Sequence, residues 1–105
     1  MNRNELYEIY DGGSTLAKGY NKKKVLKEWL KKEIMFINEC TLWDDEDDVL
    51  HAKNVIKNIK KYKIKKNNPI TVDFENLLKI ISDWEDIQLT HGVTLSINNI
   101  DVVYN

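Results

Sequence analysis

"VTLSINNIDVVY", residues 93–104, decides the fold. Apolar and polar residues alternate on either side of Asn98 and Asn99, the pattern of two strands that each bury one face. Asn tolerates the left-handed backbone that a two-residue hairpin turn requires, so the Asn-Asn pair marks the turn. With the turn placed there, Val93, Leu95 and Ile97 stand across from Tyr104, Val102 and Ile100, and all six apolar side chains share one face. That face needs a cover, and a lone hairpin is marginal in water.

The opposite end of the chain supplies a second hairpin. In "LYEIYDGGSTLAKGY" (residues 6–20), Gly12 and Gly13 suit the positive φ angles of a tight turn. A two-residue turn at these glycines puts Ile9 opposite Leu16, with Tyr7 on the same face. The two hairpins are expected to join in one antiparallel sheet.

Three helical patterns lie between them. Asn21 is placed to cap the first, where Val25, Leu26, Trp29, Leu30, Met35, Phe36, Ile37 and Cys40 recur near helical spacing. Lys23, Lys24, Lys27, Lys31 and Lys32 mostly fall on its outer side. In the second, Thr41 and Asp44 have capping-box spacing, and Leu42, Val49, Ala52, Ile56 and Ile59 form one face. This helix is expected to fade near Lys63, and "KKNNP" (65–69) reads as a loop that Pro69 keeps from continuing it. The third, "TVDFENLLKIISDWEDIQL" (71–89), carries the stripe Phe74, Leu77, Leu78, Ile81 and Trp84, with Thr71 or Asp73 as its cap and Gly92 as its stop. The expected architecture is α+β: one domain over residues 1–105, ordered ββ-ααα-ββ, with an antiparallel sheet of two hairpins packed against three helices.

Composition agrees with a globular domain. The 105 residues are 42% hydrophobic and 31% charged, neither the profile of a disordered chain nor that of a membrane protein. No apolar run approaches the roughly 18 residues of a membrane span, and the first twenty residues lack the apolar core of a signal peptide. Cys40 is the only cysteine, so no internal disulfide forms. Together these lead to the expectation of a cytoplasmic protein. The basic residues are lysine except for Arg3, and Asn and Ile are abundant. Their A/T-rich codons point to an AT-rich genome, such as that of a low-GC bacterium or its phages.

Charge is segregated along the chain. The net charge is -1, yet residues 41–52 hold five acids and no Lys or Arg, while residues 53–68 hold seven lysines and no acid. Asp44, Asp45, Glu46, Asp47 and Asp48 fall at the start of the second helix; Lys57, Lys60, Lys61 and Lys63 fall at its end. Acids near a helix N-terminus and bases near a C-terminus complement the helix dipole, at about 0.3–1 kcal/mol each when exposed. Helix physics therefore accounts for much of this switch. Two clusters oppose the dipole: Lys22, Lys23 and Lys24 in the first turn of the first helix, and Asp83, Glu85 and Asp86 near the end of the third. Such charges are offset by pairing within the fold, by water, or by a partner.

Catalytic and metal-binding patterns are missing. The two histidines, His51 and His91, form no zinc motif, and the acidic run lacks the alternating ligands and glycine of a calcium loop. No phosphate-binding glycine motif occurs, and Cys40 reads as core rather than nucleophile. The chain is read as non-enzymatic, with no metal and no cofactor. Nucleic-acid binding has a candidate in Lys57, Lys60, Lys61, Lys63, Lys65 and Lys66, interleaved with Tyr62, and in the lysines of the first helix. Against it stand the near-absence of arginine, the commonest specific base reader, and the slightly negative total charge.

A compact cytosolic domain, the Tyr-rich hairpin "YEIYDGG" and segregated acids without a catalytic motif resemble the small inhibitor proteins of low-GC phages and mobile elements, the anti-CRISPR proteins among them. The resemblance is one of overall manner and assigns no residue. It implies stoichiometric inhibition of a host nuclease or other defence protein through surface contacts, in the cytoplasm of a bacterial host. The leading expectation is thus an inhibitor of a nucleic-acid-handling host complex, with Asp44–Asp48, Asp83, Glu85 and Asp86 as the partner-binding acids. The alternative is a small DNA- or RNA-binding regulator that uses the lysine face.

Overall fold

The computed structural model describes residues 5–43, 45–83 and 93–102, apart from the side chains of Cys40 and Trp43. Strands β1 (Tyr7–Asp11) and β2 (Ser14–Gly19) are followed by helices α1 (Lys22–Cys40), α2 (Glu46–Lys61) and α3 (Ile70–Ser82), and then by β3 (Val93–Ile97) and β4 (Ile100–Asp101). The α+β class and the ββ-ααα-ββ order are as read from the sequence. The sheet runs β2-β1-β3-β4, every neighbour antiparallel. The hairpins meet through β1 and β3, where Ile9 pairs with Leu95 and both are fully buried.

The second hairpin turns as its sequence requires. Asn98 and Asn99 have φ of 53° and 68°, Ile97 pairs with Ile100, and the Val102 amide donates to the Leu95 carbonyl at 2.8 Å. Asn98 also anchors the turn to the start of β1: its amide donates to the Leu6 carbonyl, and its Oδ1 accepts from the Leu6 amide. The shared apolar face is only partly covered. Leu95 is buried and Val102 half-buried, but Ile100 on the edge strand is 72% exposed. Tyr104 lies outside the described residues.

In the first hairpin the turn is as expected and the register is not. Gly12, at φ +60°, and Gly13 join Asp11 to its partner Ser14. The ladder then shifts between Ile9 and Tyr10, so Ile9 faces Ala17 rather than Leu16. Leu16 is the extra residue of a β-bulge. The bulge aims Ala17, 2% exposed, into the core, and the Leu16 carbonyl accepts from Lys32 Nζ on α1.

Helix α1 lies against β1 and β2, and α2 packs against α1 and α3. Asn21 caps α1, its Oδ1 accepting from the Lys24 amide at 3.1 Å. Val25, Leu26, Trp29, Leu30 and Ile37 are buried, whereas Met35 and Phe36 are exposed. Met35 falls about two and a half turns from Leu26 and so points to the opposite side of the helix. Thr41 ends α1 instead of starting α2: its amide and its Oγ1 both bond back to α1 carbonyls, including that of Asn38. A short 3-10 turn, Thr41–Trp43, follows, with Leu42 exposed, and Asp45 is the N-cap of α2 without a side-chain cap bond. Ala52, Val55, Ile56 and Ile59 form the buried face of α2, and Val49 is half-buried.

Helix α3 spans Ile70–Ser82 behind Pro69, with Asp83 as its C-cap, and residues 84–89 of the expected helix lie outside the described residues. Phe74, Leu77 and Ile81 are buried with Leu95 in one core, and Leu78 packs at its edge. The Phe74 and Trp29 rings sit 4.8 Å apart at 42°. Trp84 and Gly92 lie outside the described residues.

Trp29 is fully buried, and its indole Nε1 donates to Glu33 Oε1 at 3.1 Å. Burial raises the Glu33 pKa, the Trp29 hydrogen bond opposes that rise, and the charge of Asp11 adds to it. A raised pKa means the folded state holds this proton more tightly than the unfolded chain does. The ionised form therefore costs stability at neutral pH, and the cost fades as pH falls through the raised value. Glu33→Gln keeps an acceptor for the indole without the charge and should match or exceed wild-type stability at pH 7 in urea unfolding. Glu33→Ala leaves the buried indole N–H unsatisfied and should cost about 1–3 kcal/mol.

Candidate functional site

The charges that oppose the helix dipole have different fates. Lys22, at the first position of α1, reaches across to Asp73 in the first turn of α3, Nζ to Oδ2 at 2.9 Å. Its Nζ also donates to the carbonyls of Lys65 and Asn68, at 2.6 and 2.5 Å. Asp73 is fully buried. Its Oδ1 accepts from Tyr62 OH at 2.7 Å and from Asn68 Nδ2 at 3.3 Å, and Asn76 Nδ2 donates to the same Tyr62 oxygen. Burial pulls the Asp73 pKa up, but the hydrogen bonds from Tyr62, Lys22 and Asn68 and the Lys22 charge outweigh it, and the pKa falls below its ordinary value. Asp73 is thus not the cap of α3. It is the buried anchor that ties the start of α1, the α2–α3 loop and α3 together, and it accounts for one of the unfavourably placed lysines.

The acidic candidates gather at the other end of α2. Asp45 is its N-cap, and Glu46, Asp47 and Asp48 form its first turn. All four are exposed, and none takes part in an ion pair among the described residues. Asp83 is the C-cap of α3 and is exposed. His51 on α2 links the two groups: its Nε2 lies 2.7 Å from the Asp83 carbonyl oxygen. A carbonyl only accepts, so this contact requires a proton on Nε2. His51 follows Asp47 by four residues, so the two share one helix face. The contact sets the end of α3 against α2 close to its acidic first turn. Leu50, 60% exposed, and Leu42, 73% exposed, stand on α2 and on the turn that leads into it. Asp44, Glu85, Asp86 and His91 lie outside the described residues.

The basic candidates gather at the opposite end. Lys57, Lys60 and Lys61 are exposed on α2, and Lys63, Lys65 and Lys66 are exposed in the segment that follows it. The fold brings the lysines of α1 to the same region. Lys22, Lys23 and Lys66 line a cleft of about 720 Å³ with Tyr7, Tyr20 and Ile64. Lys27, Lys31 and Lys60 surround an adjoining groove of about 380 Å³ that shares Ile64. Neither convergence is visible in the sequence, because each depends on which helices become neighbours. Among the described residues no three His, Cys, Asp or Glu side chains are grouped so that they could hold a metal ion, and no helix is long and apolar enough to cross a membrane.

No family model, curated protein or solved structure matches the chain.

Proposed function

We propose that this chain is a non-enzymatic binding protein whose acidic end docks on a basic surface of a protein partner. In that role it inhibits a host complex that handles nucleic acid, its carboxylates occupying a groove that otherwise holds phosphates. The observation that carries this reading is the His51–Asp83 contact, which joins the acids of α2 to the end of α3. Helix-dipole stabilisation explains Glu46, Asp47 and Asp48 one at a time. It does not explain why they adjoin Asp83, which sits at the unfavourable end of its own helix. A partner's positive groove offsets both groups together. The exposed Leu42 and Leu50 supply apolar contact area beside these charges.

A second reading has its own observation. The cleft lined by Lys23 and Lys66, beside Glu5 and the Asp73-paired Lys22, includes Tyr20, 67% exposed, and lysines with an open aromatic ring suit a single-stranded nucleic acid.

Affinity capture from a host lysate with three forms of the chain separates the readings. Glu46→Gln/Asp47→Asn/Asp48→Asn removes charge at the acidic end without introducing repulsion. It should lose the captured partner while the circular dichroism spectrum stays that of wild type. Lys57→Glu/Lys60→Glu/Lys61→Glu should retain the partner. The reverse pattern, accompanied by direct binding of an oligonucleotide at about 100 mM salt, where nonspecific phosphate contacts are already weakened, would replace the first reading with the second.

A further inference from the structure

The groove between α1 and α2 has a composition that neither the acidic end nor a phosphate site explains. Its floor is apolar: half-buried Ile34 and exposed Met35 from α1 and half-buried Ile64 from the segment after α2, lying over the buried Leu30 and Ile59. Its rim is cationic, with Lys27, Lys31 and Lys60 all exposed and none in an ion pair among the described residues. Lys23, Lys27 and Lys31 recur at four-residue intervals, which aligns three like charges on one helix face. Like charges at that spacing repel, and Lys60 adds another from across the groove.

We propose that this groove binds an acidic, apolar-anchored helical segment of a protein partner. Charge complementarity selects the occupant. Carboxylates flanking an apolar stripe would neutralise Lys27, Lys31 and Lys60 while the stripe covers the apolar floor, the arrangement by which amphipathic helices enter grooves. A nucleic acid would satisfy the rim and leave the floor exposed. Lys27 and Lys31 are one turn apart, about 6 Å along the helix axis, so acids one turn apart on the incoming helix match them. The walls are preformed. Ile59 is 2% exposed, and Tyr62 at the end of the groove is fixed through its hydroxyl to Asp73 and Asn76. Met35, 54% exposed, is the adaptable element, since an unbranched thioether refits its rotamer to the side chain it meets. This site is independent of the acidic end, which lies at the other terminus of α2.

The probe is a displayed library of random peptides of about 16 residues, long enough to sample a helix, selected on the intact chain at about 150 mM salt, where long-range charge effects are screened. The peptides recovered should be net acidic with apolar residues at three- and four-residue spacing. A labelled winner, measured by fluorescence anisotropy, should lose about tenfold or more in affinity on Lys27→Glu/Lys31→Glu/Lys60→Glu, as several weak rim contacts would sum to. It should lose affinity by a similar factor on Met35→Glu, whose exposed side chain leaves the fold unchanged. Winners that are neutral or basic, winners indifferent to both variants, or no enrichment at all would overturn the proposal. So would a duplex or single-stranded oligonucleotide that binds with the same dependence on Lys27, Lys31 and Lys60 while ignoring Met35→Glu, which would assign the rim to nucleic acid.

Discussion

Asp73→Ala is expected to cost about 3 kcal/mol of folding stability, the lower end of the range for breaking a buried ion pair. The truncation removes the acceptor of Tyr62 OH and Asn68 Nδ2 and the counter-charge of Lys22 in one step. The Lys22 side chain is 16% exposed, so water relieves part of its orphaned charge, which places the figure low in the range. Domains of this kind have only about 5–15 kcal/mol to lose, so the effect is large and urea unfolding reads it directly. The pH dependence has a definite sign. Asp73 has a lower pKa folded than unfolded, so its contribution is fully present above the unfolded Asp value of about 3.9 and is lost as pH falls through the lowered folded value. Asp73→Asn keeps the shape and should flatten that acid limb. A loss below about 1 kcal/mol for Asp73→Ala, well under the range for a broken buried pair, would mean that this network does not hold the three helices together.

Phe74→Ala is expected to cost about 3–5 kcal/mol, the range for removing a fully buried aromatic ring. Phe74 is 0% exposed and packs against Trp29, itself 0% exposed. The cavity would open where α1 and α3 meet, so the Trp29 near-ultraviolet circular dichroism should weaken even where the variant remains folded. Leu77→Ala, in the same core, is expected to cost about 2–5 kcal/mol. An unchanged Trp29 signal together with a loss under about 1 kcal/mol, far from the large-to-small range, would mean that these helices do not share a core.

Local chemistry carried the legible part of the fold. The Asn98-Asn99 and Gly12-Gly13 turns could be read because each needs a left-handed backbone that few residues accept. The α3 stripe Phe74, Leu77 and Ile81 could be read because helical period alone sets it. What stayed hidden depends on partners far along the chain. The bulge at Leu16 shifts a register by one residue, and no local signal distinguishes Leu16 from Ala17 as the partner of Ile9. Asp73 has the sequence position of a helix cap, and only the arrival of Lys22, 51 residues earlier, makes it a buried ion-pair partner. Phe36 read as apolar stripe because an apolar run does not show where the cover ends, and Met35 because the continuous run Met35-Phe36-Ile37 hides that the helical period puts it opposite Leu26.

The functional surfaces divide in the same way. The acidic run and the lysine run were visible as composition. That the first adjoins Asp83 through His51, and that the second meets Lys22, Lys23, Lys27 and Lys31 of α1, follows from α2 packing against both α1 and α3. Exposed Leu42 was invisible as a contact candidate, since in sequence it falls on the apolar face of the second helix.

Amide hydrogen exchange on the chain, free and in complex with its captured partner, tests the acidic-end account most directly. Added protection should fall on residues 45–51 and on the end of α3 at residues 82–83, while residues 57–66 exchange as in the free chain. Protection confined to residues 57–66 and the first turns of α1, with the start of α2 unchanged, would contradict it.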